Sequence, residues 1–329
     1  VAPSATVGGS APDPRTQRRE HVTTPRIGVF LSSMRPITGE DYEQGLRRVA
    51  EMGFKGANVG FHSMLKERPR DEQRQLLCDL PAELGIEISG MHSALSEGDS
   101  SDVAERTKPL TNAVDLAAEC DIPVVILHGG PRIGDDESEN RAAWDRMVEE
   151  LKYGCPYAAE RAVKVGMEPG GGVWMVNGWR LLNRLRREVG ESFGVNYDPA
   201  NVVMACEDPI RGIEVLGDAI VHMHLKDARI RKPAPHAQAF VENLDDTASS
   251  INFAEWRAAM VQDSANRENY WEETPVGEGD VDFKALLEAL DRIGFNGWMA
   301  IEREGKRDAE EQIASLNQAR EHVMSLAAP

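Results

Sequence analysis

Four strand-like segments in the second half of the chain each end in a residue that can bind a metal ion. An apolar run leads to Glu168, and proline and glycine end it at once. Similar runs lead to Asp198, His224 and Glu302. Because the carboxyl ends of parallel strands meet at one rim of a barrel, this repetition predicts a single site built from four strands.

Strand and helix patterns alternate eight times along the chain. Each strand candidate is followed by apolar residues at helical spacing, and glycine commonly separates a helix from the next strand. The candidates are residues 26–31, 56–59, 86–92, 123–128, 163–168, 193–198, 220–227 and 298–302. Eight such units predict an α/β protein whose parallel strands close as a (β/α)8 TIM barrel. A doubly wound open sheet is the competing fold, but residues 31–36 lack its glycine-rich phosphate loop.

The domain organisation follows from the two segments that break this pattern. Residues 1–25 are rich in proline, glycine, serine, threonine and arginine, and we expect a disordered N-terminal arm. Residues 26–329 then form a single barrel domain. Residues 230–274, after strand seven, are long for a connection and predict a lid-like insertion over the rim. A surface insertion without function is the alternative.

The composition argues against several classes of protein. The net charge of −18 disfavours binding to a phosphodiester backbone, so we expect no nucleic-acid partner. No apolar run approaches the ~20 residues of a membrane-spanning helix. We expect a cytoplasmic protein, and an exported form whose leader has been removed stays open. The four cysteines form no CxxC pair, which favours reduced, buried thiols at Cys78, Cys120, Cys155 and Cys206.

The four strand-end residues form a donor set suited to a hard divalent cation. Glu168, Asp198 and Glu302 offer carboxylates, and His224 offers an imidazole. Mn²⁺, Mg²⁺ and Co²⁺ prefer such oxygen-rich sets over thiolates. Each residue alone is weak evidence, because acids often end strands in solvated loops. All four at neighbouring strand ends are unlikely to arise by chance.

Five sequence segments carry a resemblance to a known family. They are Met167–Gly170, Asn196–Asn201, His222–Asp227, Pro275–Phe283 and Ala300–Glu302. In these segments the chain resembles the xylose-isomerase-like TIM barrels, a superfamily of sugar isomerases, ketose 3-epimerases, inosose dehydratases and endonuclease IV (the AP endonuclease family 2 type). The resemblance runs from about residue 27 to the C-terminal helix. It is specific for the superfamily and not for the substrate.

The resemblance implies a catalytic metal centre. One divalent ion would be held by Glu168, Asp198, His224 and Glu302, with Mn²⁺ expected first and Mg²⁺, Co²⁺ or Zn²⁺ as alternatives. Glu168 and Glu302 would also be the catalytic acid–base pair, one on each face of the substrate, and would act through an enediolate. His222 would lie deeper in the barrel, and Asp227 would orient His224 as a supporting residue.

The resemblance also implies a set of substrate-binding residues. His92 and His128, at the ends of strands three and four, would line the pocket, and core histidines are the alternative. Trp174 would offer a ring face to a cyclic sugar. Asn201 stands where several relatives have a metal-binding histidine, so we expect it to hydrogen-bond the substrate. Arg229 matches an arginine after strand seven only loosely.

These expectations favour a metal-dependent sugar isomerase or epimerase. A lyase or dehydratase acting by β-elimination on a keto-sugar, keto-glycoside or inosose is the close alternative, since Trp174 and its glycine-rich loop depart from the free-ketose epimerases. A nuclease of the endonuclease IV type and a non-catalytic sugar-binding barrel are weaker alternatives. The expected partner is a small carbohydrate, and a homo-oligomer stays open.

Overall fold

Eight parallel strands close into a barrel, as predicted. The computed structural model describes residues 24–170, 174–233, 238, 251–264, 270–305 and 307–327. The strands follow one another around the barrel in the order β1-β10-β7-β6-β5-β4-β3-β2. They are β1 (Arg26–Phe30), β2 (Gly56–Gly60), β3 (Glu87–His92), β4 (Val124–His128), β5 (Lys164–Glu168), β6 (Phe193–Tyr197), β7 (Ile220–Leu225) and β10 (Trp298–Ile301).

Helices surround the barrel and connect its strands. They are α1 (Arg35–Thr38), α2 (Tyr42–Glu51), α3 (Phe61–Met64), α4 (Arg70–Arg74), α5 (Leu80–Leu84), α6 (Val103–Arg106), α7 (Lys108–Glu119), α8 (Glu137–Ala159), α9 (Gly178–Val189), α10 (Pro199–Met204), α11 (Pro209–Leu216), α12 (Phe253–Ser264), α13 (Phe283–Arg292) and α14 (Ala309–Leu326). Shorter turns add 3-10 segments at Leu31–Met34 and Gly217–Ala219, and a π turn at Gln75–Asp79 joins α4 to α5.

Aspartates begin several of these helices. Asp41, Asp136, Asp282 and Asp308 each accept a hydrogen bond from a backbone N–H of the first turn. Those N–H groups have no partner within the helix, and a carboxylate there also favours the positive end of the helix dipole. Acidic residues placed in this way therefore mark where these helices begin.

The segment after β7 is partly ordered around a hairpin. β8 (Asp227–Ile230) pairs antiparallel with β9 (Trp271–Thr274), outside the barrel sheet. Between them, α12 packs on α8, where the Phe253 ring lies 5.6 Å from the Trp144 ring. Residues 234–237, 239–250 and 265–269 lie outside the described residues. The lid role predicted for residues 230–274 therefore stays a prediction.

The barrel interior is apolar at its floor and polar towards its mouth. On β10, alternate residues point inward, so that Trp298 lies at the floor and Glu302 at the mouth. The Trp298 ring fills the space where a side chain at Gly56 would project, since a Cβ there would lie 2.4 Å from the ring. Above this floor the fully buried side chains include Asn58, Asn196 and His222. The usual interior of such barrels is branched and aliphatic, so these amides and this imidazole require partners.

The cysteine prediction was wrong for two of the four residues. Cys78, in the π turn, forms a disulfide with Cys120, which caps the C-terminus of α7. The two are 42 residues apart, and only the packing of α7 beside the α4–α5 segment brings their Cα atoms to 4.8 Å. Cys155 fits the prediction, because it is buried and forms no disulfide, and burial raises the pKa of its thiol to about 12. Cys206 is half-buried and forms no disulfide.

Two further expectations concern the ends and surface of the chain. Residues 1–23, most of the expected arm, lie outside the described residues. Among the described helices, none combines the length and the apolar character that a bilayer crossing requires.

Candidate metal centre

The four predicted ligands converge at the mouth of the barrel. Glu168 ends β5, Asp198 follows β6, His224 lies in β7 and Glu302 follows β10. One ligand atom from each lies within 4.8 Å of the corresponding atoms of the other three. All four residues are buried. The structure thus brings together the whole predicted set.

Strand pleating explains why these four side chains face one another. Successive residues of a strand point to opposite faces, so every second residue enters the barrel. On β7 these residues are His222 and His224, and Lys226 follows with the same parity. Parallel registers place His224 beside Ala300, the inward residue below Glu302. Neighbouring strands therefore bring their last inward side chains to one level.

His224 presents its Nδ1 atom to the centre of the cluster. Nδ1 lies 3.1 Å from Glu168 Oε1 and 2.9 Å from Glu302 Oε2. On the other side of the ring, Nε2 lies 3.3 Å from Asn58 Oδ1. An amide oxygen only accepts hydrogen bonds, so Asn58 favours the tautomer with the proton on Nε2. That tautomer leaves the Nδ1 lone pair free for a cation.

The carboxylates and His224 perturb one another strongly. Burial alone would lower the pKa of His224, but the charges of Glu168 and Glu302 raise it well above its usual value. Burial alone would raise the pKa of Glu168, but the charge of His224 outweighs it and lowers that pKa to about 2. The pKa of Glu302 is held well below its usual range, because Lys226 and His224 outweigh the effect of burial.

Asp198 supplies the observation that best tests whether a cation fits. Its Oδ1 accepts a hydrogen bond from the Asn201 backbone N–H at 3.0 Å, as the cap of α10. Its Oδ2 is buried with no hydrogen-bond partner, and burial raises the pKa of Asp198 to about 7. A buried carboxylate oxygen without a partner costs free energy unless a cation binds it. The cluster therefore fits a divalent ion.

Lys226 is a buried cation beside this cluster. Its Nζ lies 3.4 Å from Glu302 Oε2 and 3.2 Å from Glu304 Oε2. Burial alone would lower the pKa of Lys226, but Glu302 and Asp198 raise it well above its usual value. Lys226 therefore forms an ion pair with a candidate metal ligand.

The two strand-end histidines differ in their surroundings. His92 is half-buried, stacks on Phe30 with ring centroids 4.6 Å apart, and its Nε2 lies 3.0 Å from Asn58 Oδ1. Burial lowers the pKa of His92 to about 4. His128 is exposed and lies next to Glu168 in the register of β4 with β5. Both therefore border the cluster, His92 from within and His128 at the rim.

Trp174 lies at the rim but its ring is already in contact with protein groups. It meets the His128 ring edge-on, with centroids 5.3 Å apart. The Arg132 guanidinium lies 4.8 Å from the ring centroid. Gly129 and Gly170 have no side chains, and a Cβ at either would come within 3 Å of Trp174. A sugar ring stacking on Trp174 would share or replace these contacts, and substrate binding by Trp174 stays a prediction.

Two other predicted residues direct their side chains to backbone carbonyl groups and not to the ligand atoms. The Asn201 side chain donates to the Pro169 carbonyl at 3.0 Å and so ties the end of β5 to α10. Arg229 lies in the β8–β9 hairpin, where its Nη2 donates to the Glu278 carbonyl. Substrate contacts by Asn201 and Arg229 stay predictions.

Asp227 differs from its expected role. Its carboxylate accepts hydrogen bonds from the backbone N–H groups of Ala228, Gly277, Gly279 and Val281, at 2.8 to 3.2 Å. It therefore holds the loop that leads into α13. The orienting contact of His224 comes from Asn58 and not from Asp227, because Asp227 has the opposite strand parity and points out of the barrel.

Several residues of the site were not identified from the sequence. Asn58 and Ser89 lie in strands that read as ordinary apolar segments, and no spacing marked them. Asn196 opens one of the segments that carry the resemblance, but the sequence assigned it no role. Lys226 carried a usable signal, since it continues the inward parity of His222 and His224. Strand parity, applied one residue further, would have placed it in the site.

Comparisons with known proteins agree with the fold. The chain is similar to an inosose dehydratase from Geobacillus thermodenitrificans (strain NG80-2), at 24% identity over 84% of this chain and 87% of that protein. It superimposes on a D-psicose 3-epimerase from Clostridium cellulolyticum H10 with a TM-score of 0.65, at 16% identity over 91% of this chain and 99% of that one. It superimposes equally well, with a TM-score of 0.65 at 15% identity, on the IolI protein with a bound zinc atom, over 92% of this chain and 99% of that chain.

The family model agrees with these likenesses. A model of the xylose isomerase-like TIM barrel matches residues 46–322, which include all four candidate ligands and most of the barrel. The chain belongs to the xylose isomerase-like TIM barrel family.

Proposed function

We propose that this chain is a divalent-metal-dependent dehydratase of a polyhydroxylated ketone, such as a keto-inositol or a keto-sugar. The observation that carries the proposal is the convergence of Glu168, Asp198, His224 and Glu302 on one buried point. Two of the four are glutamates, so one cluster offers both an ion site and groups that can take up a proton. A ketone with neighbouring hydroxyl groups suits both features, because its oxygens can bind the ion and the carbon beside its carbonyl can lose a proton.

The chemistry begins with removal of a proton from the carbon beside the carbonyl. When bound, the ion would supply positive charge that offsets the negative charge developing on the carbonyl oxygen. Glu168 takes the proton. Its Oε1 faces His224 Nδ1 in the ligand cluster, whereas its Oε2 accepts a hydrogen bond from the uncharged side-chain amide of Asn196. The electron pair of the broken C–H bond then forms the carbon–carbon double bond. The hydroxyl on the next carbon leaves as water with the proton that Glu168 has taken up, which restores the carboxylate.

Elimination is favoured over epimerisation by an asymmetry within the site. Epimerisation needs a second group that returns a proton from the other face of the substrate. Glu302, the other glutamate, is ion-paired with Lys226, with 3.4 Å between Nζ and Oε2. The similarity to an inosose dehydratase, over 84% of this chain, supports the same choice.

The second candidate is a sugar isomerase or epimerase. The observation in its favour is that Glu302 reaches the same cluster as Glu168, so two carboxylates are available. In that reaction Glu168 and Glu302 act as the acid–base pair on the two faces of the substrate.

The proposed ion is Mn²⁺, with Mg²⁺, Co²⁺ and Zn²⁺ as alternatives. Three carboxylates and one imidazole form an oxygen-rich set that these ions accept. The substrate is a small carbohydrate, which His92, His128, Trp174, Asn201 and Arg229 are proposed to contact. A nucleic-acid partner is not proposed, given the net charge of −18.

The test is turnover of a ketone panel in deuterated buffer. Metal-loaded protein would be incubated with keto-inositols, ketoses and 3-keto-glycosides, and products followed by ultraviolet absorbance and NMR. The proposal expects loss of water and a new enone absorbance with at least one compound, and Glu168→Gln should abolish it. An isomeric product that carries solvent deuterium would select the second candidate. Neither deuterium exchange nor elimination with any compound would exclude both.

A further inference from the structure

A line of buried polar side chains leads from Glu168 down the inside of the barrel. Asn196 Nδ2 donates to Glu168 Oε2 at 3.0 Å. Asn196 Oδ1 lies 2.8 Å from His222 Nδ1, and His222 Nε2 lies 3.2 Å from Ser89 Oγ. Asn196, His222 and Ser89 are all completely buried. None of them is a candidate metal ligand.

The direction of each hydrogen bond is fixed by the end of the line. A carboxylate bound to a cation only accepts hydrogen bonds, so the Asn196 amide must direct its NH₂ group to Glu168. Its oxygen then faces His222, so that His222 Nδ1 must carry a proton. In a neutral imidazole Nε2 then accepts the Ser89 hydroxyl proton. Each donor in the sequence from Ser89 to Glu168 is therefore matched to an acceptor.

The two carboxylate oxygens of Glu168 have different neighbours, and the line contacts only one of them. Oε1 faces His224 Nδ1 in the ligand cluster. Oε2 receives the Asn196 hydrogen bond and lies 4.0 Å from His92 Nε2, the half-buried histidine bordering the mouth. A carboxylate that is held at one end only would rotate between positions. Two distinct anchors give each oxygen one direction.

We infer that Ser89, His222 and Asn196 are positioning residues that hold Glu168 Oε2 towards the substrate as the proton-accepting oxygen. The inference rests on the proposed function for the identity of the proton acceptor. The polarity of the line rests on these contacts and on an ionised Glu168, and not on the identity of the substrate. None of the three residues touches substrate in this account, and each acts through its neighbour.

The far end of the line lies near the floor of the barrel. Ser89 helps to line a cavity of about 380 Å³ at the N-terminal end of the strands, together with Lys164 and Trp298. A water molecule entering from that cavity could replace a missing Ser89 hydroxyl. We therefore expect the effect of substitutions to decrease along the line, from Asn196 to His222 to Ser89.

Two substitutions at Asn196 separate hydrogen bonding from packing. Asn196→Ala removes the donor and should lower the rate of substrate proton exchange about 10- to 100-fold, the usual range for supporting groups at metal sites. Asn196→Asp has nearly the same shape, but it places a second acceptor against Glu168 and should lower the rate further. A side chain that only fills space would give the opposite order.

The matched control is Asn140, a buried asparagine in α8. Its side chain donates to the Gly134 carbonyl and accepts from the Gly134 N–H, outside the metal centre. Asn140→Ala should lower the free energy of unfolding. The proton-exchange rate should stay within about twofold of wild type, because Asn140 touches no reacting group.

Histidine tautomers test the line without any substrate. Long-range ¹H–¹⁵N NMR of the metal-loaded full chain should show His222 protonated on Nδ1 and His224 protonated on Nε2. In Asn196→Ala the His222 preference for Nδ1 should weaken. A wild-type His222 protonated on Nε2 alone would overturn the inference, even if no substrate had been found.

The two readouts distinguish the possible failures. If wild-type protein exchanges no substrate proton but shows the expected tautomers, the proposed function fails and the hydrogen-bonded line stands. If exchange occurs and both Asn196 variants match wild type with full metal content, the positioning role is overturned. Metal content of each variant, measured alongside, shows whether a rate loss follows simply from loss of the ion.

Discussion

Glu168 and Glu302 both lie against His224, but their second neighbours are of opposite kinds. Glu168 accepts a hydrogen bond from Asn196, an uncharged amide at the end of an uncharged line. Glu302 lies 3.4 Å from the ammonium of Lys226, which also contacts Glu304. A neutral donor orients a carboxylate without removing its charge. A buried ammonium offsets that charge and competes with any other cation.

The difference teaches which side of the site is suited to which task. A carboxylate paired with a permanent cation is a weaker proton acceptor than one that faces a neutral donor. The Glu168 side therefore suits proton removal, whereas the Glu302 side suits ion binding and charge balance. Sequence motifs present the two glutamates as an equivalent pair. Their neighbours make them different.

The largest expected effect is at Glu168. Glu168→Gln keeps the shape but removes the proton acceptor, and should lower the rate of substrate proton exchange by about 10³-fold. Glu302→Gln should cost less in exchange rate at saturating metal, because its main role is to bind the ion. Both are measured by deuterium incorporation at several Mn²⁺ concentrations. Equal losses for the two variants with metal fully bound would remove the distinction.

The next effect is a change in metal affinity, which should have opposite signs on the Glu302 side and the Glu168 side of the site. Lys226→Met removes a cation beside Glu302, so divalent metal should bind more tightly, although the rate of turnover should fall. Asn196→Ala should bind metal more weakly, since Glu168 loses its orienting bond, by about tenfold. Titration calorimetry with Mn²⁺ measures both. Weaker binding by Lys226→Met would contradict this view of the Glu302 side.

A smaller effect is expected from pH. Metal must replace the proton on His224, whose pKa is raised, and on Asp198, whose pKa is about 7. His224 binds a proton more tightly when folded, so in metal-free protein its contribution to stability is full below its unfolded pKa and decreases as pH rises towards the folded value. Asp198 also has a raised pKa, so it favours the folded state at low pH and this contribution is gone above about pH 7.

The measurement is the shift in melting temperature on adding Mn²⁺, from pH 6 to pH 8. Both groups predict a larger metal-dependent shift at pH 8, because fewer protons then compete with the ion. The Arg229→Gln variant, which keeps all four candidate ligands, is the control and should show the same pH dependence. A shift that is independent of pH would mean that neither proton is displaced.

The smallest effect on the site is expected from the disulfide. Cys78 and Cys120 lie on the outer helices, and replacing both by serine should leave metal content and proton exchange unchanged. It should lower the free energy of unfolding by about 2–4 kcal/mol, the usual contribution of such a bond. Thiol counting of the denatured, unreduced chain should find only Cys155 and Cys206. Four reactive thiols would show that the bond does not form.

The sequence predicted the parts of the site that depend on chain-local signals. An apolar run that ends in an acid and is followed by proline or glycine marked Glu168 and Asp198, and alternation of strands and helices indicated the barrel. His222 and His224 are two residues apart in one strand, so their shared parity puts both on its inner face. These features depend only on residues within a few positions of one another.

What the sequence did not predict depends on pairing between distant strands. Asn58 lies 166 residues before His224 in the chain, and its side-chain oxygen contacts His224 Nε2. The pairing of β2 with β3 shifts register between Ala57 and Asn58. Asn196 has a role only because Glu168 lies beside it. The Cys78–Cys120 bond likewise requires the packing of two helical segments, and Asp227 turned outward because the strand parity changes at each residue.

Metal content of the wild type and of Glu302→Gln, both purified without chelators and measured by plasma mass spectrometry, tests the central claim most directly. The account predicts one Mn, Co, Mg or Zn ion per wild-type chain, strongly reduced in the variant, while a rim variant such as Arg229→Gln keeps its ion. Little metal in either protein after incubation with Mn²⁺ would contradict it, because the four side chains would then converge without binding an ion.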